Sequence, residues 1–243
     1  MLKKEKNCVP DDPADQQCGD HWDHVAFDPE HRLVVSVVPG KRTAENTQAL
    51  VDDFKRRTGG RLMQLITSDE YASYETALLE AYGETVVPER TGKPGRPRSP
   101  YKVAPGGLNY ATVHKTREKG RVVKVECRVV FGLVAAVLAA VALSKVSKKV
   151  NTSYLERHNG TDRNRNARKA RKTYCFSKDW DVHEAVTYFT MYRYNFCWPV
   201  RTLRVRDVGD GSWIQRTPAM AAGLADHVWP LAEWLAFPAV QRK

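Results

Sequence analysis

The chain is poor in the features that settle a protein's class at a glance. Its five cysteines, Cys8, Cys18, Cys127, Cys175 and Cys197, are odd in number and scattered along 243 residues. No CxxC pair and no Cys/His group has zinc-ligand spacing, so the set reads as reduced cytosolic thiols. No internal repeat, helix-turn-helix or zinc finger stands out. The N-terminus, MLKKEKNCVPDDPADQQ, carries charge but no apolar core and is not a secretory signal. The apolar run from Val129 to Leu143, VVFGLVAAVLAAVAL, falls short of the roughly 20 residues a membrane span needs. A buried or docking helix is expected there, with no membrane partner. Lys145, Lys148 and Lys149 leave an interfacial helix as the alternative.

What is present is charge, unevenly spread. Residues 1–90 hold 11 basic against 17 acidic side chains, residues 91–173 hold 20 against 4, and residues 174–243 hold 8 against 7. The net +11 is therefore concentrated in the middle third. A one-sided positive field suits a polyanion, because each neutralised phosphate releases counterions and adds sequence-independent affinity. A merely soluble basic protein is the plainer account.

Turn and periodicity signals divide the chain into a polar N-terminal loop (1–20), a first α/β part (21–85), a basic insertion of linker, hairpin and apolar helix (86–150), a basic helix with a packing helix (151–200), and a tail (201–243). Trp22 to Phe27 and Arg32 to Val38 read as a hairpin around Asp28-Pro29-Glu30-His31. Thr43 caps a helix that runs to about Arg57 and stops at Gly59-Gly60. Leu62 to Thr67 reads as a strand, followed by a helix from about Tyr71 to Tyr82 with Ala77, Leu78 and Ala81 inward. Val86 to Tyr101 is a Pro-, Gly- and Arg-rich arm. Its PGRPR, with Arg96 and Arg98, resembles the core of an AT-hook that enters the minor groove, although the match is only a few residues long and a plain basic linker is the favoured reading. Asn109 to Thr116 and Arg121 to Val130 make a second hairpin. A helix from about Lys178 to Phe196, capped by Ser177, carries an apolar stripe of Val182, Ala185, Val186, Phe189 and Phe196 that is assigned to the core. Thr217-Pro218 starts a short tail helix and Gly223 stops it.

The most informative stretch is Asn151 to Tyr174, NTSYLERHNGTDRNRNARKARKTY. It sets Glu156 at the head of a helix in which seven Lys/Arg between Arg157 and Lys172 face the single acid Asp162. Ser153-x-x-Glu156 also fits a capping box, in which the glutamate only returns a hydrogen bond to the helix start. A functional role needs a second carboxylate. Asp69 follows the apolar strand Leu62 to Thr67, where a parallel strand would release its C-terminal end and where ligands of α/β sheets gather. A helix N-cap is the ordinary alternative for that residue. Two carboxylates converging from different elements can hold Mg²⁺ ions that activate an attacking oxygen and stabilise a leaving one.

The blocks NTSYLERHN, RKARKTYCFSKDW, YNFCWPVRTLR and RTPAMAAGLADHVW resemble the DDE transposases of insertion sequences related to IS-one. The earlier blocks GDHWDHVAFDPEHRLVVSVVPGKRTAEN and LITSDEYASYETALLEAYG are similar to the same family, in the same order. The resemblance implies an α/β fold with a ribonuclease-H-like mixed sheet flanked by helices, a basic insertion and a helical C-terminal part. It implies strand cleavage and strand transfer with Mg²⁺ (or Mn²⁺), on double-stranded DNA of element ends and target, by a homo-oligomer, in a prokaryotic cytoplasm at the nucleoid. Carried over, the second Asp of the triad falls on Asp69 and the Glu on Glu156. Arg157, Arg163, Arg165, Arg168, Lys169, Arg171 and Lys172, with Arg96 and Arg98, are the DNA-contacting set. The first Asp does not carry over. Only two strands precede the first helix, and the family's Asp-Glu-x-Trp segment would lie upstream of Met1. Asp20 and Asp23 are stand-ins that flank the start of the second strand. A truncated, inactive chain that only binds DNA is the alternative function.

Overall fold

The computed structural model describes residues 5–9, 11–15, 18–89, 98–170 and 174–237, in two compact units: Met1–Arg42 with Tyr154–Lys243, and Thr43–Ser153. The first unit begins with β1 (His21–Asp28) and β2 (Leu33–Lys41), an antiparallel hairpin with a bulge between Ala26 and Phe27. The β-branched run of β2 suits a half-buried pleated surface, and Val34 and Val37 are almost fully enclosed. Burying side chains of this size contributes on the order of 1.5–3 kcal/mol each. The tight turn is held by Asp28, whose carboxylate accepts from the Glu30 amide at 2.8 Å.

The second unit starts with α1 (Ala44–Arg57), capped by Thr43, whose hydroxyl accepts from the Asn46 amide. Gly59 and Gly60 end the helix in left-handed conformations that a side chain would strain. Next come β3 (Ile66–Asp69), α2 (Ser73–Tyr82), β4 (Glu84–Val86), β5 (Tyr101–Val103), β6 (Tyr110–Glu118) and β7 (Arg121–Phe131). The sheet order is β3-β6-β7, with β3 parallel to β6 and β6 antiparallel to β7. This mixed sheet packs with α1 and α2 around Val51, Leu78, Tyr82, Leu108 and Tyr110. β4 and β5 pair so that Val86 lies opposite Tyr101. Most of the expected arm between those two residues, 90–97, lies outside the described residues.

The apolar run does not form one helix. Val129 to Phe131 complete β7, Gly132 bends the chain at φ +87°, and only then does α3 (Val134–Leu143) begin. A Cβ at Gly132 would also stand 2.3 Å from the Asn109 side-chain oxygen, so the bend requires glycine. Among the described residues no helix is long and apolar enough to cross a membrane.

The chain then returns to the first unit with α4 (Ser153–Arg165) and α5 (Trp180–Cys197). Asp179, not Ser177, caps α5, accepting from the Val182 amide at 2.8 Å. Its buried side is also not the expected stripe: Thr187, Met191 and Asn195 face inward while Val182 is exposed. The reason is tertiary. Met191 packs with Val25, Val34 and Val37 of the hairpin, together with Phe27, Tyr188, Tyr192 and Tyr194. Asn195 takes both backbone groups of Val34, accepting from its amide at 3.0 Å and donating to its carbonyl at 2.8 Å. Phe189 and Phe196 of the expected stripe serve a separate contact, Phe189 meeting Trp234 edge to face and Phe196 lying tilted against Trp229. The tail adds β8 (Val205–Arg206), β9 (Trp213–Ile214), α6 (Pro218–Ala221) and α7 (Leu231–Ala236). Thr217 caps α6, and Gly223 follows it at φ +71°.

The architecture is mixed α/β, with a mixed sheet and flanking helices. Among the described residues the strands fall into four separate sheets, β1-β2, β3-β6-β7, β4-β5 and β8-β9.

Candidate catalytic and nucleic-acid-binding site

Asp69 and Glu156 belong to different units, each with its own surroundings. Asp69 is the last residue of β3, exposed, and opposite Val113 of the parallel strand β6. β3 is shorter than expected and shifted toward its C-terminal end, which places Asp69 within the strand instead of after it. Just below, the Ser68 hydroxyl meets the Tyr110 hydroxyl at 2.7 Å. Burial, with lesser contributions from Asp69 and Glu75, pushes the Tyr110 phenol up.

Beside Asp69 lies a pair that sequence reasoning passed over. The Glu70 carboxylate meets Nδ1 of His114 at 2.5 Å, and His114 stands opposite Glu126 across β6 and β7. Glu70, His114, Glu126, Cys127 and Arg128 line a shallow cleft of about 380 Å³. The signal was present but faint: Glu70 adjoins Asp69 in sequence, and His114 adjoins Val113, which becomes Asp69's neighbour only through the parallel pairing.

Glu156 is exposed in the first turn of α4. The helix starts at Ser153, whose amide and hydroxyl both donate to Asn151 Oδ1, at 3.1 and 2.5 Å. The basic segment beyond it does not continue as one helix to Lys172. α4 ends at Arg165, and the Asn166 side chain accepts from the Arg168 amide at 3.0 Å, a local turn that competes with helical bonding. The turn sends Lys169 back against the hairpin. Its ammonium is buried, 2.9 Å from Asp23 and 2.9 Å from Asp162, and Thr190 also donates to Asp162. Lys169 is thus an internal ion-pair partner in this structure. Asp23 of β1, considered for the missing acid, is the carboxylate that holds it.

The other expected cations divide. Arg157 is exposed and Arg163 and Arg168 are partly so. Arg165 lies over the Trp198 ring, 3.3 Å from its centre, and 5.8 Å from that of Tyr194. Arg98 is exposed, while Arg96, Arg171 and Lys172 lie outside the described residues.

Two histidines are enclosed near this segment. His158 of α4 stacks on Phe27, its Nε2 is 3.3 Å from the Met191 sulfur, and burial, then Arg165 and Lys169, bring its pKa down to about 4. His183 pairs through Nδ1 with the Ser177 hydroxyl at 2.8 Å, and burial likewise lowers it to about 4. Both imidazoles are neutral at pH 7 and act as packing groups. Among the described residues no three His, Cys, Asp or Glu side chains gather as a metal-binding cluster.

No curated protein and no solved structure matches the chain. Residues 139–196 do match the family model described as IS1 transposase. That span takes in the end of α3, all of α4 with Glu156, and α5 to within a residue of its end. Over these residues, where the resemblance in the sequence was most specific, the chain is similar to the IS1 transposase family.

Proposed function

We propose that the chain is the catalytic part of a DNA transposase that cleaves and transfers strands of a mobile element. The observation that carries this reading is the family match centred on α4, with exposed Glu156 followed by an arginine-rich segment. Glu156 and Asp69 are the residues that would hold a divalent metal. Their fit rests on donor chemistry: both are solvent-open carboxylates, the hard oxygen ligands that Mg²⁺ takes. Bound there, the metal would supply Lewis-acid stabilisation of a phosphoryl centre and lower the pKa of an attacking oxygen. The chain's own residues position the substrate. Arg157, Arg163 and Arg168 neutralise backbone phosphate beside Glu156, while Lys169 holds the turn that presents them by bridging Asp23 and Asp162.

A second reading, DNA binding without cleavage, draws on the sheet topology. β1-β2 stands as a two-stranded sheet and β3 heads a separate one, so among the described residues no strand bearing a first Asp joins them.

Strand joining of an element end, measured with Mg²⁺ for the wild-type chain, Glu156→Gln and Asp69→Asn, tests the first reading. Loss of joining by more than about 100-fold, with DNA affinity retained, is expected for groups that act on the transition state. Joining that survives either change would overturn the site assignment. DNA binding by a wild-type chain that joins nothing would establish the second reading.

A further inference from the structure

The β8–β9 hairpin lies beyond the residues matched by the family model and outside the cations expected to touch DNA. It stacks two guanidinium groups on one exposed ring. Arg206 stands opposite Trp213 across the ribbon, and Arg204, two residues earlier, shares that face. The Arg204 and Arg206 guanidinium carbons lie 3.9 and 4.3 Å from the Trp213 ring centre. Trp213 keeps 43% of its surface exposed, an unusual setting for the largest apolar side chain.

The acids nearby do not take up this charge. Asp207 accepts from the Gly209 amide at 2.7 Å, and Asp210 accepts from the Ser212 amide at 2.8 Å, so both carboxylates build the turn. Among the described residues no carboxylate pairs with Arg204 or Arg206. Arg206 spends one N–H on the Gly211 carbonyl, at 2.6 Å. A guanidinium lying on an indole keeps its in-plane N–H groups directed outward, and the stacking lowers the entropy lost when it binds. The ribbon is anchored at its base: Arg216 donates to the Leu203 carbonyl at 2.8 Å, and Leu203 and Thr217 are buried.

We infer that the β8–β9 hairpin is a second DNA contact, in which Trp213 holds Arg204 and Arg206 ready for two backbone phosphates. This rests on the transposase reading for its choice of polyanion. The charge and the fork geometry favour phosphate, and nothing in the ribbon offers a sequence-reading pattern, so the contact is independent of base sequence.

Titration of the full chain against a short labelled duplex over a range of salt concentrations tests it. Arg204→Ala with Arg206→Ala should weaken binding at every salt concentration and reduce the slope of log K against log salt by about 2, one per phosphate released. Trp213→Ala should weaken binding with both arginines still present, and Trp213→Phe, which keeps a stacking ring, should restore most of it. Arg206→Ala alone, at an exposed position, should lower the slope by about 1 without altering the urea midpoint. An unchanged affinity and slope in the double variant, with wild-type binding intact, overturns this inference alone. A wild-type chain that does not bind the duplex overturns it together with the transposase reading.

Discussion

Residues 157–169 and 201–216 are both arginine-rich, the first with five Lys/Arg and one acid, the second with four Arg and two acids. By sequence the first is the stronger candidate for a polyanion. In the folded chain the first segment directs part of its charge inward: Lys169 is buried between Asp23 and Asp162, while Arg165 stays exposed on the Trp198 ring. The second gives its acids to backbone amides and leaves two arginines stacked on an exposed tryptophan. A count of charges is therefore a poor guide to which cations meet a phosphate. What decides is whether a carboxylate lies within reach, and for Lys169 one of the two carboxylates, Asp23, lies 146 positions earlier in the chain.

The sharpest way to break the contrast is Lys169→Met. It leaves buried Asp162 and part-buried Asp23 without this counter-charge, and a loss of about 3–5 kcal/mol is expected in urea unfolding. Lys169→Met with Asp162→Asn should be less damaged than Lys169→Met alone. A loss below about 1 kcal/mol would place Lys169 with the surface cations instead.

Acid should separate the two regions next. His158, beside Arg165 and Lys169, has its pKa lowered from 6.5 to about 4, so the native state binds fewer protons than the unfolded chain between those values. Its contribution is complete above about pH 6.5 and is lost as pH falls through 4, amounting to about 3 kcal/mol. His158→Phe should flatten that part of the stability–pH curve. The β8–β9 ribbon holds no histidine, and its variants should leave the curve's shape unchanged.

Asp179→Ala should cost about 1 kcal/mol through loss of the α5 cap, whereas Ser177→Ala should show no cap effect, since Ser177 is turned to His183. The smallest expected change is Arg204→Ala with Arg206→Ala, within about 0.5 kcal/mol of wild type in urea. Together with its effect on DNA binding, that near-neutrality is the signature of charge held for a partner.

Local signals were legible wherever short-range chemistry controls the outcome. The β1–β2 hairpin, Thr43 and Gly59-Gly60 around α1, the β6–β7 hairpin and Thr217-Pro218 all appear where turn and cap residues place them. The errors share one cause, a long-range contact overriding a local pattern. The apolar run splits because Gly132 must pass close to Asn109. The buried side of α5 moves to Thr187, Met191 and Asn195 because the hairpin offers valines and an open backbone pair at Val34. The basic helix stops early because Asn166 turns the chain and Lys169 finds two carboxylates. The Glu70–His114 pair beside Asp69 was out of reach for the same reason, since it exists only through the parallel register of β3 and β6.

The amino-acid sequence by itself carried the resemblance to the IS1 transposase family, through contiguous blocks around Glu156, and the basic character of the middle of the chain, because both are properties of neighbouring residues. Only the tertiary structure decided which charges remain available. A buried ammonium and an exposed guanidinium are equivalent in composition. The difference between them is the desolvation and pairing that long-range packing imposes.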